Sequence, residues 1–365
     1  MPPGFEDLAL QEINIKVPGL SNLRCEKGGV EFDAPLEVGL ALNYVLKIPT
    51  EVRLRLAEFK CRDLPKLYQK ISNLRWDDYL VGGDFSLNVS SSKSRLLNEK
   101  KIEKSAEEGI HRHFQKQPPK KTKFKFSFEI LVRFFDDICT ISLNTSGELL
   151  FKRGYKKMSA VAPLRENLAA AMYFALWEEV GPFDTLIDPM CGSGTFLLEA
   201  QSFWSVNSQR EFDFQKKIEW VASKIFMEGA GPTQFYGFDK NSEVLKNIEE
   251  SAHQLADCLP KVKLNLIARD ITHDEYLPIL ASSCAVICNP PYGERLKLPK
   301  RPQEYYAQLL EQMFKFKPKG VGIILPRRFS NLVTERFSMY IHKKEWQFKN
   351  GGLPVVFRVY ERKEI

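Results

Sequence analysis

Four short runs carry side chains able to do chemistry: DPMCGSGT (188–195), DK (239–240), DI (270–271) and NPPY (289–292). Each follows a stretch of apolar residues, so each is expected at the end of a buried strand. In the last run, Asn289 offers an amide oxygen and Pro290 a backbone carbonyl. Pro290 and Pro291 have φ locked and no amide donor, so they end the strand and stiffen both acceptors. Two acceptors at fixed separation suit a planar exocyclic amine, whose two hydrogens both need partners. Tyr292 adds a face on which a base can stack, worth roughly 1–3 kcal/mol. The lone pair of an aryl amine is delocalised into its ring. Hydrogen bonds to the amine protons draw density back to nitrogen, and a rigid clamp holds that nitrogen in line with an electrophile.

The other three runs describe what the electrophile belongs to. Asp188, Pro189, Cys191, Gly192, Ser193, Gly194 and Thr195 form a glycine-containing turn at the carboxyl end of a strand, the position where open α/β sheets bind ligands. No Gly-Lys-Ser/Thr follows and G-x-G-x-x-G does not fit, which argues against phosphates and dinucleotides. Asp188 suits a cationic or hydroxyl-bearing ligand. Asp239, with Lys240 beside it, can accept from both hydroxyls of a ribose; Asn241 and Ser242 are available to cap the following helix, which leaves the carboxylate for that task. Asp270, next to Ile271, can accept from an adenine amino group or merely close a turn. An adenosine-bearing ligand without phosphates, carrying a cation and an electrophile, is expected: S-adenosyl-L-methionine fits.

The elements needed to position these groups are legible downstream of residue 165. Strand-like runs DTLIDP, QFYGFD, KLNLIARD, SCAVICN and GVGIILP alternate with helical patterns, which implies an α/β fold with a parallel sheet covered on both faces. EWQFKNGGLPVVFRVYE closes it with an antiparallel hairpin turning at Asn350-Gly351-Gly352. Residues 1–150 read as α+β, with a second hairpin turning at Asp136-Asp137.

Composition limits the partners. The chain has 365 residues, 44% hydrophobic, and a net charge of +7. Between Lys93 and Lys125 there are eleven Lys or Arg against four Glu, so this stretch carries the whole excess. Glu/Lys spacing in NEKKIEKSAEEGIHRHF supports a solvated helix face, on which His111 and His113 are expected. The unbalanced KQPPKKTKFKF, with Lys120, Lys121, Lys123 and Lys125, reads as a phosphate-backbone contact, joined by Lys93, Arg95 and, in the basic linker FKRGYKKMS, Arg153. Seven cysteines lack CxxC spacing, which argues for reduced thiols and no metal site. No apolar run reaches eighteen residues. A soluble, cytoplasmic, monomeric protein is expected, with a phosphate-bearing partner and no membrane; the resemblance that follows implies that this partner is RNA.

DPMCGSGTFLLEA with NPPYGERL resembles the class I S-adenosylmethionine-dependent methyltransferases that modify exocyclic amines. LLFKRGYKKMSAVAPLRENLAAAM, GGVEF, RLRLAEFKCRDLPKLYQKISNLRWDDYL and SSSKSRL are similar to the linker, ferredoxin-like and THUMP modules of bacterial 23S rRNA guanine-N2 methyltransferases. The resemblance implies a ferredoxin-like module at 1–55, a THUMP RNA-binding module at 56–150, a linker at 151–165 and a Rossmann-like methyltransferase domain with a seven-stranded sheet at 166–365. It places the methionine tail on residues 188–195, the ribose on Asp239, the adenine beside Asp270, and the target amine on Asn289, Pro290, Pro291 and Tyr292. The segment Ala162, Pro163, Leu164, Arg165 would close over the cofactor. The implied reaction is methyl transfer to the N2 amine of a guanine in structured RNA, 23S rRNA foremost. Because the chain stops at Ile365, it also resembles shorter relatives that act on transfer RNA. DNA adenine-N6 methylation and a non-catalytic RNA-binding role are the remaining alternatives.

Overall fold

The computed structural model describes residues 1–80, 85–117, 128–155, 164–206, 212, 221–226, 229–255, 262–272, 283–293, 301–329 and 339–363. These form two compact units. One is built on Glu51–Leu149; the other joins Met1–Thr50 to the chain from Leu150 onward.

The larger unit is organised by a seven-stranded sheet of order β12-β13-β11-β10-β7-β8-β9. Strands β7 (Thr185–Asp188), β8 (Gln234–Asp239), β9 (Lys263–Ala268), β10 (Cys284–Cys288) and β11 (Gly320–Pro326) are mutually parallel. The hairpin β12 (Tyr340–Asn350) and β13 (Leu353–Arg362) runs antiparallel at one edge. Gly351 and Gly352, at φ 58° and 92°, make the left-handed turn that a tight hairpin requires.

CAVIC and GVGIILP are buried at every position, as expected of parallel strands with both faces covered. Alternation along β10 divides the core. Ala285 and Ile287 face one cluster, with helix α5 (Glu166–Val180), α6 (Thr195–Ser202) and α7 (Ser242–Leu255). Cys284, Val286 and Cys288 face a second, with Tyr306, Leu309, Leu310 and Met313 of α8 (Pro302–Lys315). The alanine-rich middle of α5 is apolar on all sides and is buried from Asn167 to Leu176, which suits a helix in a core. The amino-terminal residues belong to the same body. Phe5, Leu8 and Ala9, at the start of α1 (Glu6–Lys16), lie in the α5 cluster, and Phe5 meets Phe348 edge-on at 5.5 Å. Strands β1 (Ser21–Glu26) and β2 (Gly29–Asp33) form a separate ribbon, followed by α2 (Leu36–Val45).

A buried ionic cluster ties these parts together. Glu12 accepts from Lys16 Nζ (2.6 Å) and from the backbone amides of Lys47 (2.7 Å) and Ile48 (3.0 Å). Glu199, on α6, accepts from Arg153 Nη2 (3.1 Å) and Tyr155 Oη (2.5 Å). Arg153 also donates to the carbonyls of Leu150 and Lys47, at 2.7 and 2.6 Å. Glu12, Lys16, Glu199 and Arg153 are each paired and hydrogen-bonded, the condition under which burial is tolerated.

The smaller unit is a four-stranded sheet of order β3-β6-β5-β4, from β3 (Arg53–Lys60), β4 (Phe85–Ser92), β5 (Phe128–Phe135) and β6 (Ile138–Asn144). Helices α3 (Leu64–Ser72) and α4 (Glu99–Lys116) contribute Leu67, Ile71, Ile102, Ala106 and Ile110 to its core. Asp136 and Asp137, at φ 48° and 61°, make the β5–β6 turn.

Candidate active site

The chain lays down β7, β8 and β9 in one direction, then returns to place β10 against the other side of β7 and β11 beyond it. The carboxyl ends of β7 and β10 therefore flank the switch point, where such sheets open a crevice. Asp188 ends β7 and Asn289 directly follows β10.

On the β7–β9 side, three carboxylates share one local device. Asp188 Oδ1 accepts from the amide of Met190 (3.1 Å), Asp239 Oδ1 from Asn241 (2.9 Å) and Asp270 Oδ1 from Thr272 (3.0 Å). Each is an Asx turn, at the last residue of β7 and of β8 and two residues beyond β9. Asp239 Oδ2 reaches across to the amide of Gly192 (3.1 Å), and the amide of Cys191 donates to Phe238 O (2.9 Å), so the 188–195 turn is fastened to the end of β8. Gly192 has φ 48° and a Cβ there would meet nothing within 4 Å. The space beside it is open to a ligand. Gly194, at φ 69°, has the opposite constraint: a Cβ would stand 2.8 Å from Ile248.

Asp188 is 2% exposed. Burial pushes its carboxyl up to about 8 and the charge of Asp239 adds to the rise, while the Met190 amide opposes it. A carboxyl so placed gains most from a cation beside it. Ser193 and Thr195 hydroxyls are 3.1 Å apart at the start of α6. Asp270 also accepts from Thr272 Oγ1 (2.6 Å), so it does close a turn; Ile271 packs in the α8-side cluster. Lys240 is exposed, Asn241 caps α7 by accepting from the Glu243 amide (3.0 Å), and Pro189 is buried. Leu164 is buried and Arg165 exposed, its guanidinium 5.6 Å from the Phe151 ring. Ala162 and Pro163 lie outside the described residues.

On the β10–β11 side the polar groups hold one another. Tyr292 Oη donates to Asn289 Oδ1 and accepts from Asn350 Nδ2 (3.3 Å) at the end of β12. Tyr306 Oη, from α8, donates to Pro291 O (2.8 Å), which fixes the proline pair from below. Pro290 is buried. Burial pushes the Tyr292 phenol well above the usual tyrosine range, so it stays a hydroxyl. A cavity of about 150 Å³ opens on Tyr292, bounded by Pro326, Arg327 and Arg328 at the end of β11 and by 353–355 at the start of β13. Burial also raises the Cys191 and Cys288 thiols, which removes them as thiolate nucleophiles.

Sequence reasoning did not find Asn350, Tyr306 or the arginine pair. In the sequence Asn350 reads only as part of a turn, and no local pattern reports a contact 58 residues away. Two expectations need correction. Arg153 was assigned to RNA, but it is 5% exposed and its donors are spent on Glu199 and two carbonyls. His113 was placed on a solvated face, but it is 7% exposed, with Nε2 3.1 Å from Asp77 Oδ1. Lys93 and Arg95 are exposed; the Arg95 amide donates to Asp137 Oδ1 (2.7 Å) and Lys93 Nζ lies 5.4 Å from the Phe135 ring. Lys120, Lys121, Lys123 and Lys125 lie outside the described residues. Among the described residues, no group of three or more His, Cys, Asp or Glu could hold a metal ion, and no helix is long and apolar enough to cross a membrane.

Residues 153–354 match the family described as "UPF0020: RMKL-like, methyltransferase domain". Ribosomal RNA large subunit methyltransferase K/L of Psychromonas ingrahamii is 31% identical over 311 residues, covering 79% of this chain and 40% of that protein. The protein of the same name from Colwellia psychrerythraea is 28% identical, covering 98% of this chain and 52% of its own length. The chain thus spans about half the length of the curated relatives it matches. Among solved structures, SMU.472 complexed with SAH superposes with a TM-score of 0.79 at 25% identity, covering 100% of this chain and 97% of that one. The seven-stranded sheet is that of the Rossmann-like class I methyltransferases.

Proposed function

The chain belongs to the RMKL-like methyltransferase family, and from that premise we propose that it transfers a methyl group from S-adenosylmethionine to the exocyclic N2 amine of a guanine in large-subunit ribosomal RNA. The observation that carries this reading is the meeting of two sets of groups at one switch point. Asp188 and the open side of Gly192 lie on one side, and the stiffened Asn289-Pro290 acceptors lie on the other. The names of the curated relatives and the SAH complex of the structural neighbour support it.

The residues divide the work. When bound, the cofactor supplies a methyl group made electrophilic by its sulfonium. Asp188 ionises beside the cationic aminoacyl tail, and Gly192 lets that tail lie against the backbone. Asp239 accepts from the ribose hydroxyls; Asp270 and Ile271 border the adenine. Asn289 Oδ1 and Pro290 O take the two amine hydrogens, draw density onto nitrogen and aim it. Tyr292 stacks on the guanine, which must leave its own stack to reach this depth. After transfer the nitrogen is cationic and acidic, so its proton departs without a dedicated base.

The cavity of about 150 Å³ beside Tyr292, apolar along 353–355 and bordered by Arg327 and Arg328, is read as the place of the extruded base. The stretch 56–150 is read as a THUMP-type module in which Lys93 and Arg95 meet phosphates, together with Lys120, Lys121, Lys123 and Lys125. Such a protein works in the cytoplasm.

Isotope-labelled S-adenosylmethionine offered with rRNA, transfer RNA and duplex DNA tests the reading. Labelled N2-methylguanosine in rRNA is the expected product. The same nucleoside in transfer RNA alone would change the substrate, and labelled N6-methyladenine, or no label in RNA, would refute the proposal.

A further inference from the structure

Three side chains at the acceptor end of the site form one hydrogen-bond chain, and its direction matters. Asn350 Nδ2 donates to Tyr292 Oη, which donates to Asn289 Oδ1. The oxygen expected to receive a hydrogen of the target amine is therefore already taken by a hydroxyl. A second donor on that oxygen would find one lone pair engaged and its density already drawn away, so its pull on the amine would be weaker.

A tyrosine hydroxyl donates once and accepts, and an asparagine amide presents either an oxygen or an NH2. The chain can therefore run the other way without moving the ring. Asn289 Nδ2 would donate to Tyr292 Oη, and Tyr292 would donate to Asn350 Oδ1. In that direction Asn289 Oδ1 is released to accept from the substrate. With both asparagine amides turned over, the second direction keeps all three groups hydrogen-bonded, so a substrate that needs the oxygen favours it.

We propose that Asn350 is a positioning residue that sets the direction of this chain and so decides whether Asn289 Oδ1 is available to the target amine; the inference rests on the reading of Asn289 as the amine clamp. Only a residue that can both donate and accept serves both states. Asn350 is placed for this by the hairpin. It is the last residue of β12, and its cross-strand partner Leu353 borders the cavity on Tyr292. A nucleotide arriving in that cavity touches Tyr292 and Leu353, so its arrival and the reversal act on the same corner of the molecule.

The test is a double-mutant cycle on the full chain, reading methyl transfer to unmodified rRNA together with SAH affinity and thermal unfolding. Asn350→Leu cannot accept the tyrosyl proton, so Tyr292 stays on Asn289 and kcat falls about tenfold, the order of one net hydrogen bond. Asn350→Asp accepts only, holds the productive direction and stays within about threefold of the natural residue in kcat. In a Tyr292→Phe background no hydroxyl competes for Asn289, so Asn350→Leu costs less than about twofold there. SAH affinity is unchanged throughout. Should the leucine variant fail to fold, Asn350→Ala completes the same cycle.

Equal losses from Asn350→Leu with and without the Tyr292 hydroxyl, or a loss in Asn350→Asp as large as in Asn350→Leu, would reduce Asn350 to a brace of the hairpin and overturn the proposal. That outcome would leave the methyltransferase reading standing. A natural chain that methylates no guanine N2 in RNA would bring down both.

Discussion

The two halves of the seven-stranded sheet hold their polar groups by different means. On the β7–β9 side, Asp188, Asp239 and Asp270 each accept from the amide two residues onward. On the β10–β11 side, Asn289 and Tyr292 are satisfied by each other and by Asn350 from the hairpin. Local backbone turns make the first half rigid before any ligand arrives. Neutral side chains that can exchange roles make the second half adjustable. A cofactor of constant shape suits the first arrangement, and a base that must be drawn out of an RNA fold suits the second.

Single substitutions in the two halves should separate cleanly. Asn289→Ala should lower turnover by about two to three orders of magnitude, the size of losing one group that stabilises transition-state charge, with cofactor affinity nearly intact by calorimetry. Asp239→Ala should do the reverse and weaken cofactor binding by roughly ten- to a hundredfold, as for a charged hydrogen-bond acceptor. Parallel losses in both quantities for both variants would erase the distinction.

A pH series sharpens the same contrast. The Asp188 carboxyl sits at about 8 in the free protein, and a cationic ligand lowers it. Binding must then release a proton near neutral pH, so affinity should climb as pH rises toward 8 and level off above it. Asp188→Asn should flatten the profile, whereas Asn289→Ala should leave its shape alone. Calorimetry in two buffers of different ionisation enthalpy counts the proton.

Smaller effects are expected away from the crevice. Replacing Lys93 and Arg95 together by Ala should reduce the salt slope of RNA binding by roughly two; an unchanged slope would make them ordinary surface charges. Lys47 lies in the buried ionic cluster, where burial and the neighbouring Arg153 charge lower its ammonium to about 7. Its folded value is below its unfolded value, so between about 7 and 10.5 the unfolded chain binds more protons and Lys47 makes stability rise with pH. Lys47→Met should remove that contribution, seen as a shallower dependence of the denaturation midpoint on pH.

The same comparison explains what the amino-acid sequence revealed. Asp188, Asp239 and Asp270 were legible because an acidic residue at the end of an apolar run is a local pattern, and their Asx turns are local too. The strand alternation and both hairpin turns were legible for the same reason. Asn350 was not, because its role depends on a fold that brings residues 292 and 350 together. Arg153 was misread as surface charge because its neutralising partner, Glu199, lies 46 residues on. His113 was misread likewise, since Asp77 comes from another part of the chain.

The central claim is that a methyl donor held by the β7–β8 turns faces an amine clamp at the end of β10. A crystal structure with SAH bound tests it most directly. In that crystal the ribose hydroxyls should lie on Asp239, the amino group beside Asp188 and the sulfur directed at Asn289. SAH seated elsewhere, or with its sulfur turned away from residues 289–292, would contradict it.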